Sequence, residues 1–397
     1  MKKNILSKVI FTTLILSFFC SVCIAALGIA AKNNFIETMP YHKYRGMSFG
    51  FSAEHIITFY VNMEDARNWS EICMWDLYPW DKRYQIKNRD VACIKQLQNI
   101  WGGNLTRSKA ITFELLSGFE QVTKLDLSYL DVNSTTSISP LPHLKYLRLC
   151  NTRFSDGNWS FLSSLTNLTA LYLNSTQISD EDLRYLSVLN KLEILCLDGT
   201  KISDAGLKYL ANLSNIRVLS LDGTKISNNG LQYLSKLKNI QYLSLSYTNV
   251  SDAGLQHLAL LPLLREVHLK YCHITKKELY NLKRVEVLNL ANCNISGARF
   301  SAFHKLDVLC LDGKKTNLDQ QMISDLAKID TLREIYTELY EEQYQEILQK
   351  WRRHLPSVEI FKGSIPRDIN TFIEKNIKVF AAAIGVKPRK SNSIYKY

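Results

Sequence analysis

The stretch LDGTKIS stands at Leu197–Ser203 and again, letter for letter, at Leu221–Ser227. The two copies are 24 residues apart, and the same interval organises the middle of the chain. LKYLRLCNTRFSDGNWSFLSSLTN begins at Leu144, LTALYLNSTQISDEDLRYLSVLNK at Leu168 and LEILCLDGTKISDAGLKYLANLSN at Leu192. IRVLSLDGTKISNNGLQYLSKLKN follows from Ile216, and IQYLSLSYTNVSDAGLQHLALLPL from Ile240. Shortened copies start at Leu264 and Val285, a lengthened one at Leu306, and an irregular one from Val122 precedes them all. A fixed period of this kind signals a repeat architecture, in which one structural unit is stacked on the next.

Each half of the shared pattern, LxxLxLxxTxIS(D)xxGLxxLxxLxN, has its own periodicity. LxxLxL ends in alternation, which reads as a short strand with leucines inward and the intervening residues outward. The second half changes to helical spacing, with Leu207, Leu210 and Leu213 three apart. Ser203 stands where a side-chain oxygen can cap a helix, and Asp204 suits the positive helix end; Ser179 with Asp180 and Ser251 with Asp252 read the same way. Thr200 and Thr224 are expected to bond backbone in the turn leaving the strand, and Gly199 and Gly223 to relax that turn. One unit cannot bury its leucine side alone, so the core forms only by stacking.

This unit resembles the leucine-rich-repeat family. The Thr in the turn and the S-D-x-G-L helix start are similar to a bacterial branch of it, and also to cysteine-containing repeats found in F-box proteins. The resemblance covers roughly residues 122–361 and implies an α/β solenoid, a curved horseshoe with parallel strands on its concave face and short helices on its convex face. Domain boundaries follow: a leader over 1–31, an irregular aromatic-rich segment over 32–90, an N-terminal cap over 91–121, repeats over 122–331, a C-terminal cap over 332–363 and a basic tail over 364–397. In the N-terminal cap, Val91–Leu116 reads as a helix, a Gly-Gly turn and a strand. In the C-terminal cap, Glu341–Gly363 reads as a helix and a last strand.

Function in such an array belongs to the outward strand positions, because the inward ones are committed to the core. One column reads Lys124, Tyr146, Ala170, Ile194, Val218, Tyr242, Glu266, Val287, Val308; the next reads Asp126, Arg148, Tyr172, Cys196, Ser220, Ser244, His268, Asn289, Cys310. They place Tyr146, Tyr172, Ile194, Val218 and Tyr242 in one aromatic-aliphatic patch, flanked by Arg148 and by Glu266 with His268. An apolar centre with a charged rim is how protein interfaces are commonly composed. The expected partner is a protein or peptide bound on this concave face. The opposing reading is that Ile and Val there simply suit a strand.

The leader carries Lys2, Lys3 and Lys8, and Val9–Ala31 then runs 23 residues without a charge. That is long enough to span a bilayer, which favours an uncleaved anchor with the array outside the cytoplasm; Ala25 and Ala30 also fit a cleavage site, which would make the product secreted or periplasmic. Of nine cysteines, two lie in the leader, Cys73 and Cys93 are the one candidate disulfide pair, and the other five scatter over repeat positions as packing residues. Net charge is +12, and residues 362–397 hold eight basic against two acidic residues. The tail reads as solvated, with an anionic membrane surface as its other option. The strand columns carry no basic stripe, so no nucleic-acid partner is expected.

No serine-hydrolase, phosphate-loop, zinc-protease or dinucleotide fingerprint is present. His268 near Cys272 invites a nucleophile pair, but Cys272 takes the turn position whose side chain points into the core. Asp198 and Asp222 stack in one column, and two carboxylates fall short of a calcium site. The expectation is a non-catalytic binding scaffold without metal or cofactor. A self-associating structural envelope protein is the alternative, with a ligase adaptor or secreted effector behind it.

Overall fold

The computed structural model describes residues 123–129, 141–154, 157–311, 320–337, 349 and 351–363, and beyond them the strand backbone at 47–52, 55–60, 74–78, 102–104 and 131–132. Every LxL segment is a strand, and the strands stack side by side in sequence order. β5 (Lys124–Asp126), β7 (Tyr146–Arg148), β9 (Ala170–Tyr172), β10 (Ile194–Cys196), β11 (Val218–Ser220), β12 (Tyr242–Ser244) and β13 (Glu266–His268) are followed by β14 (Val287–Leu290), β15 (Val308–Leu311), β16 (Glu334–Thr337) and β17 (Glu359–Lys362). All neighbours in this run are parallel and unslipped, with Ile194 opposite both Ala170 and Val218. β6 (Asp131–Val132) and β8 (Arg153–Phe154) form a separate parallel pair.

Four more strands extend the sheet at its N-terminal edge: β1 (Met47–Ser52), β2 (His55–Tyr60), β3 (Met74–Tyr78) and β4 (Gly102–Asn104). The segment 32–90, expected to be irregular, therefore contributes antiparallel strands. Gly102 and Gly103, expected in a turn, lie within β4, which pairs with both β3 and β5.

The return path of each repeat is a single helical turn or two. α1 (Asp204–Leu210), α2 (Asn228–Leu234) and α3 (Asp252–Leu258) serve the three repeats with S-D/N-x-G-L starts, and α4 (Gln320–Leu326) serves the lengthened one. Ser160–Ser164, Glu181–Leu186 and the short repeat's Leu279–Leu282 are tighter 3-10 turns. Between strand and helix lies one continuous leucine core, from Leu125 to Ile360. Each leucine fully removed from water contributes about 1.5–3 kcal/mol, which a single repeat could not collect. Trp351, Leu355 and Val358 close the C-terminal end of that core.

The turn threonines behave as expected. Thr200 Oγ1 donates to Leu197 O at 2.6 Å and Thr224 Oγ1 to Leu221 O at 2.6 Å. The helix-start residues do something else. Asp180 accepts from the backbone amide of Ser203 at 2.7 Å and from its hydroxyl at 2.5 Å, so it bridges to the next repeat. Asp204 binds Ser227 in the same way, at 2.8 and 2.5 Å. Asp252 binds the amide of Thr275 at 2.7 Å and also its hydroxyl. Where the repeat has Asn228, its carbonyl takes the Ser251 amide at 2.9 Å and its amide donates to Ser251 Oγ at 2.8 Å.

Ser203 caps its own helix only through a 3.4 Å contact to Ala205 N, and Ser251 makes no side-chain cap bond. Ser179 is not a cap either: its amide and hydroxyl both donate to Asp182 ahead of a 3-10 turn. The expected capping role is thus secondary, because a half-buried carboxylate between two repeats gains more from two donors than a hydroxyl does from one stretched amide.

The bridge explains the glycine of S-D-x-G-L. A Cβ on Gly206 would sit 2.5 Å from Asp180 Oδ1, and one on Gly254 would sit 2.6 Å from Asn228 Oδ1 and 2.7 Å from Leu231 Cδ1. Helix propensity alone says that Gly230→Ala should stabilise α2 by about 1 kcal/mol. We expect the opposite, a loss of about 1–3 kcal/mol from the clash with Asp204, read as a lower midpoint in denaturant unfolding. A rise in the midpoint would contradict the bridge.

Candidate functional site

The parallel register brings the predicted site residues together. Tyr146, Tyr172, Ile194, Val218 and Tyr242 lie on successive strands, with Arg148, Glu266 and His268 beside them. Tyr146 and Tyr172 pack at 5.2 Å between centroids, and the Arg148 guanidinium sits 5.2 Å over the Tyr172 ring. Farther along, Tyr242 meets the His268 ring at 5.2 Å, and His268 Nε2 lies 2.9 Å from Glu266 Oε1.

The expectation of a solvent-open patch needs correcting. Ala170, Ile194, Cys196 and Val218 are each 0% exposed, and with Tyr172 and Tyr242 they make a second apolar cluster on the side of the sheet away from the leucine core. Glu266 and His268, expected as an exposed rim, are buried as well. A third cluster of Val287, Ala291, Val308, Cys310 and Tyr336 continues along this face. Alternation could say which residues point outward, but not whether the outward side is dry.

Electrostatics follow from that dryness. Burial pushes Tyr172 and Tyr242 well above the usual phenol range, and raises the Cys196 thiol, which removes it as a nucleophile. Desolvation lowers Lys124 to about 8. It raises Asp198 to about 6, with the neighbouring Asp222 carboxylate adding to the effect, and it raises Asp222 too.

Local donors offset the stacked carboxylates. Asp198 accepts from Asn174 Nδ2 at 2.8 Å and from the Asp222 amide at 3.0 Å. Asp222 accepts from Ser244 Oγ and from the Ser246 amide at 2.7 Å. Cys272 points inward as expected and donates to Leu245 O at 3.0 Å, away from His268. Cys73, Cys93, the run Val9–Ala31 and the tail 364–397 lie outside the described residues. Among the described residues no helix is long and apolar enough to cross a membrane.

At the position three residues past the strands β5 to β13, sequence reasoning read only the turn-relaxing Gly199 and Gly223. There the backbone amide donates to the next repeat, as in Gly199 N to Asp222 O at 2.7 Å and Tyr247 N to Lys270 O at 2.7 Å. Holding that bond requires the left-handed conformation, which Gly223 adopts at φ +66°. Tyr247 and Tyr271 occupy the same position at φ +59° each, where a side chain costs roughly 1–2 kcal/mol. Both are exposed, at 54% and 45%, and their rings stack at 4.7 Å with Lys270 5.6 Å from the Tyr271 ring. The same left-handed position holds Tyr129, Asn151, Ser175 and Asn292 in other repeats, and glycine at Gly199 and Gly223.

Models of the leucine-rich repeat match residues 164–187 and 236–259, and a second such model matches 284–306. The chain carries leucine-rich repeats. Its solenoid is similar to an internalin, inlF, of Listeria monocytogenes, at 16% identity and a TM-score of 0.50, covering 73% of this chain and 87% of that one. Another match is internalin C2 of the same organism, at 23% identity and a TM-score of 0.41, covering 51% of this chain and 83% of that one. At such identity the likeness is one of fold. No curated protein matches the chain.

The buried carboxylate has a measurable consequence. Asp198 binds its proton more tightly folded, at about 6, than unfolded, at about 3.9. The folded state therefore holds more protons between about pH 4 and 6, and stability falls as pH rises through that window. Asp198→Asn should flatten the fall and raise stability at pH 7 by on the order of 2 kcal/mol, seen in thermal melts across pH. Parallel pH profiles for the two proteins would contradict it.

Proposed function

We propose that this protein is a non-catalytic scaffold that binds a protein or peptide ligand through its strand face and the tyrosine edge of that face. Leucine-rich-repeat proteins generally bind proteins, and the array offers a rigid surface that needs little ordering on binding. The observation that carries the reading is the pair Tyr247 and Tyr271. Stacked, exposed aromatics held in a left-handed backbone state, where two other repeats use the unstrained Gly199 and Gly223, are hard to explain by stability. Tyrosine is also a residue type that dominates interface energetics. The columns from Tyr146 and Arg148 to Glu266 and His268 supply the floor beside this edge. Val9–Ala31 would hold the array at a membrane, outside the cytoplasm, or direct its export. The self-associating envelope protein remains the second reading, with a second copy of the chain as the ligand.

The double variant Tyr247→Gly and Tyr271→Gly separates binding from folding. Relief of backbone strain offsets the lost ring stacking, so the melting temperature should stay within a few degrees. Affinity for the partner captured by the full-length protein from host membranes should fall about tenfold or more. Unchanged affinity for that partner, or for a second copy of the chain, would sink the reading.

A further inference from the structure

Asn167, Asn215 and Asn239 close their repeats by donating a side-chain amide to a carbonyl of the preceding repeat, at 2.6, 2.6 and 2.8 Å. Lys191, at the same place, donates to Asn167 Oδ1 at 2.6 Å. The next repeat breaks the series with Leu263, which can make no such bond and is 46% exposed. Three residues earlier Leu260 is 55% exposed, in a column that holds Asn212 and Lys236 in the two preceding repeats and Arg284 in the next. These two are the exposed leucines among the described residues, and Ala259 and Pro262 beside them are exposed too. The 3-10 turn of the following repeat packs against α3 and adds Tyr280, at 56%. Leucines left in water where other repeats put polar groups gain nothing from burial.

The surroundings of this turn are basic. Lys236, Lys238, Lys283 and Arg284 are exposed in the adjoining repeats. From Ala253 to Val285 the acidic residues are Glu266, on the strand face, and Glu278, half-buried against Asn281 at 3.0 Å. Glu286, just beyond, is held by Arg265 at 2.8 Å. An apolar tip with a cationic rim suits an anionic lipid surface, where leucines enter the acyl boundary and basic residues meet the headgroups. Leucine is under-represented among the residues that dominate protein interfaces, which favours lipid over an acidic protein. The backbone fits as well, because a lipid-facing turn must satisfy its own polar groups. The amides of Leu260, Leu261 and Leu264 donate to the carbonyls of His257, Leu258 and Leu261, and Lys238 Nζ donates to the Leu260 carbonyl at 3.0 Å. Pro262 has no amide to satisfy.

We propose that the turn Ala259–Leu263 is a membrane-contact site, through which the array lies against an anionic lipid bilayer. It enters a strand, whereas Tyr247 and Tyr271 lie on turns that leave one. Lipid contact and ligand binding can therefore succeed or fail separately.

Photo-crosslinking in the full-length protein tests this. The photoreactive p-benzoylphenylalanine is placed at Leu263, or at Tyr247 as the control, and each protein is irradiated with vesicles of phosphatidylcholine alone or mixed with phosphatidylglycerol. Residues 9–31 are common to every sample, so any contact they make cancels. Position 263 should give lipid adducts with the anionic vesicles, about tenfold more than with phosphatidylcholine alone or than from position 247. Lys236→Glu with Arg284→Glu should cut that yield about tenfold or more, since each basic residue near the surface strengthens binding about fivefold. Adducts only to a second copy of the chain, equal lipid yields at 263 and 247, or no dependence on phosphatidylglycerol would each overturn the proposal. None of these three outcomes needs the charge variant, so its misfolding would leave the test intact.

Discussion

One contact sets the distance between repeats. A carboxylate or amide at the start of one helical segment reaches to the next and holds its leading serine or threonine through that residue's amide and hydroxyl, and in three of the four bridges, from Asp180, Asp204 and Asn228, it does so past a glycine. At Gly206, Gly230 and Gly254 a Cβ would strike the bridging oxygen. With the helices held this close, the leucines interdigitate and the strands pair without slip. Asn167, Asn215 and Asn239 repeat the device at the far end of the unit, each donating its side-chain amide to a backbone carbonyl of the preceding repeat. Bonds of this kind are worth about 1 kcal/mol each, or somewhat more when charged. Repeated along the array, they fix geometry that apolar burial alone would leave adjustable.

Fixed geometry is what the strand face needs in order to be specific. The columns stay in register because each strand is pinned at both ends of its repeat, so Arg148 is held over Tyr172 and His268 beside Glu266 and Tyr242. The cost of that rigidity shows where Tyr247 and Tyr271 accept a left-handed backbone to keep the inter-repeat amide bond. It shows again at Asp198 and Asp222, which are stacked in one column and partly desolvated. A solenoid optimised for stability alone would carry glycine and a neutral residue at these places.

Much of this was legible in the repeat itself. Alternation placed the strands of the repeats, and the columns read from it pair as written, residue by residue, from Lys124 to Cys310. The inward turn threonines and the inward Cys272 followed from their position. What escaped depends on neighbours in space. Asp204 looked like a helix-dipole residue because its partner, Ser227, belongs to the next repeat. Ile194 and Val218 looked exposed because alternation gives direction and not burial. The strands at 47–78 escaped because they lie outside the period and contain glycine, serine and threonine among their apolar residues. Tyr247 was visible as a letter, yet its meaning came only from the backbone angle that its column imposes.

The central claim is that repeats are coupled through the helix-start bridge and not only through apolar contact. A double-mutant cycle on Asp204→Ala and Ser227→Ala, read by denaturant unfolding, measures this directly. The two residues belong to different repeats and share one bridge, so the account predicts a coupling energy of about 1 kcal/mol or more. Strictly additive losses would show that the bridge is incidental and that leucine packing alone sets the stacking.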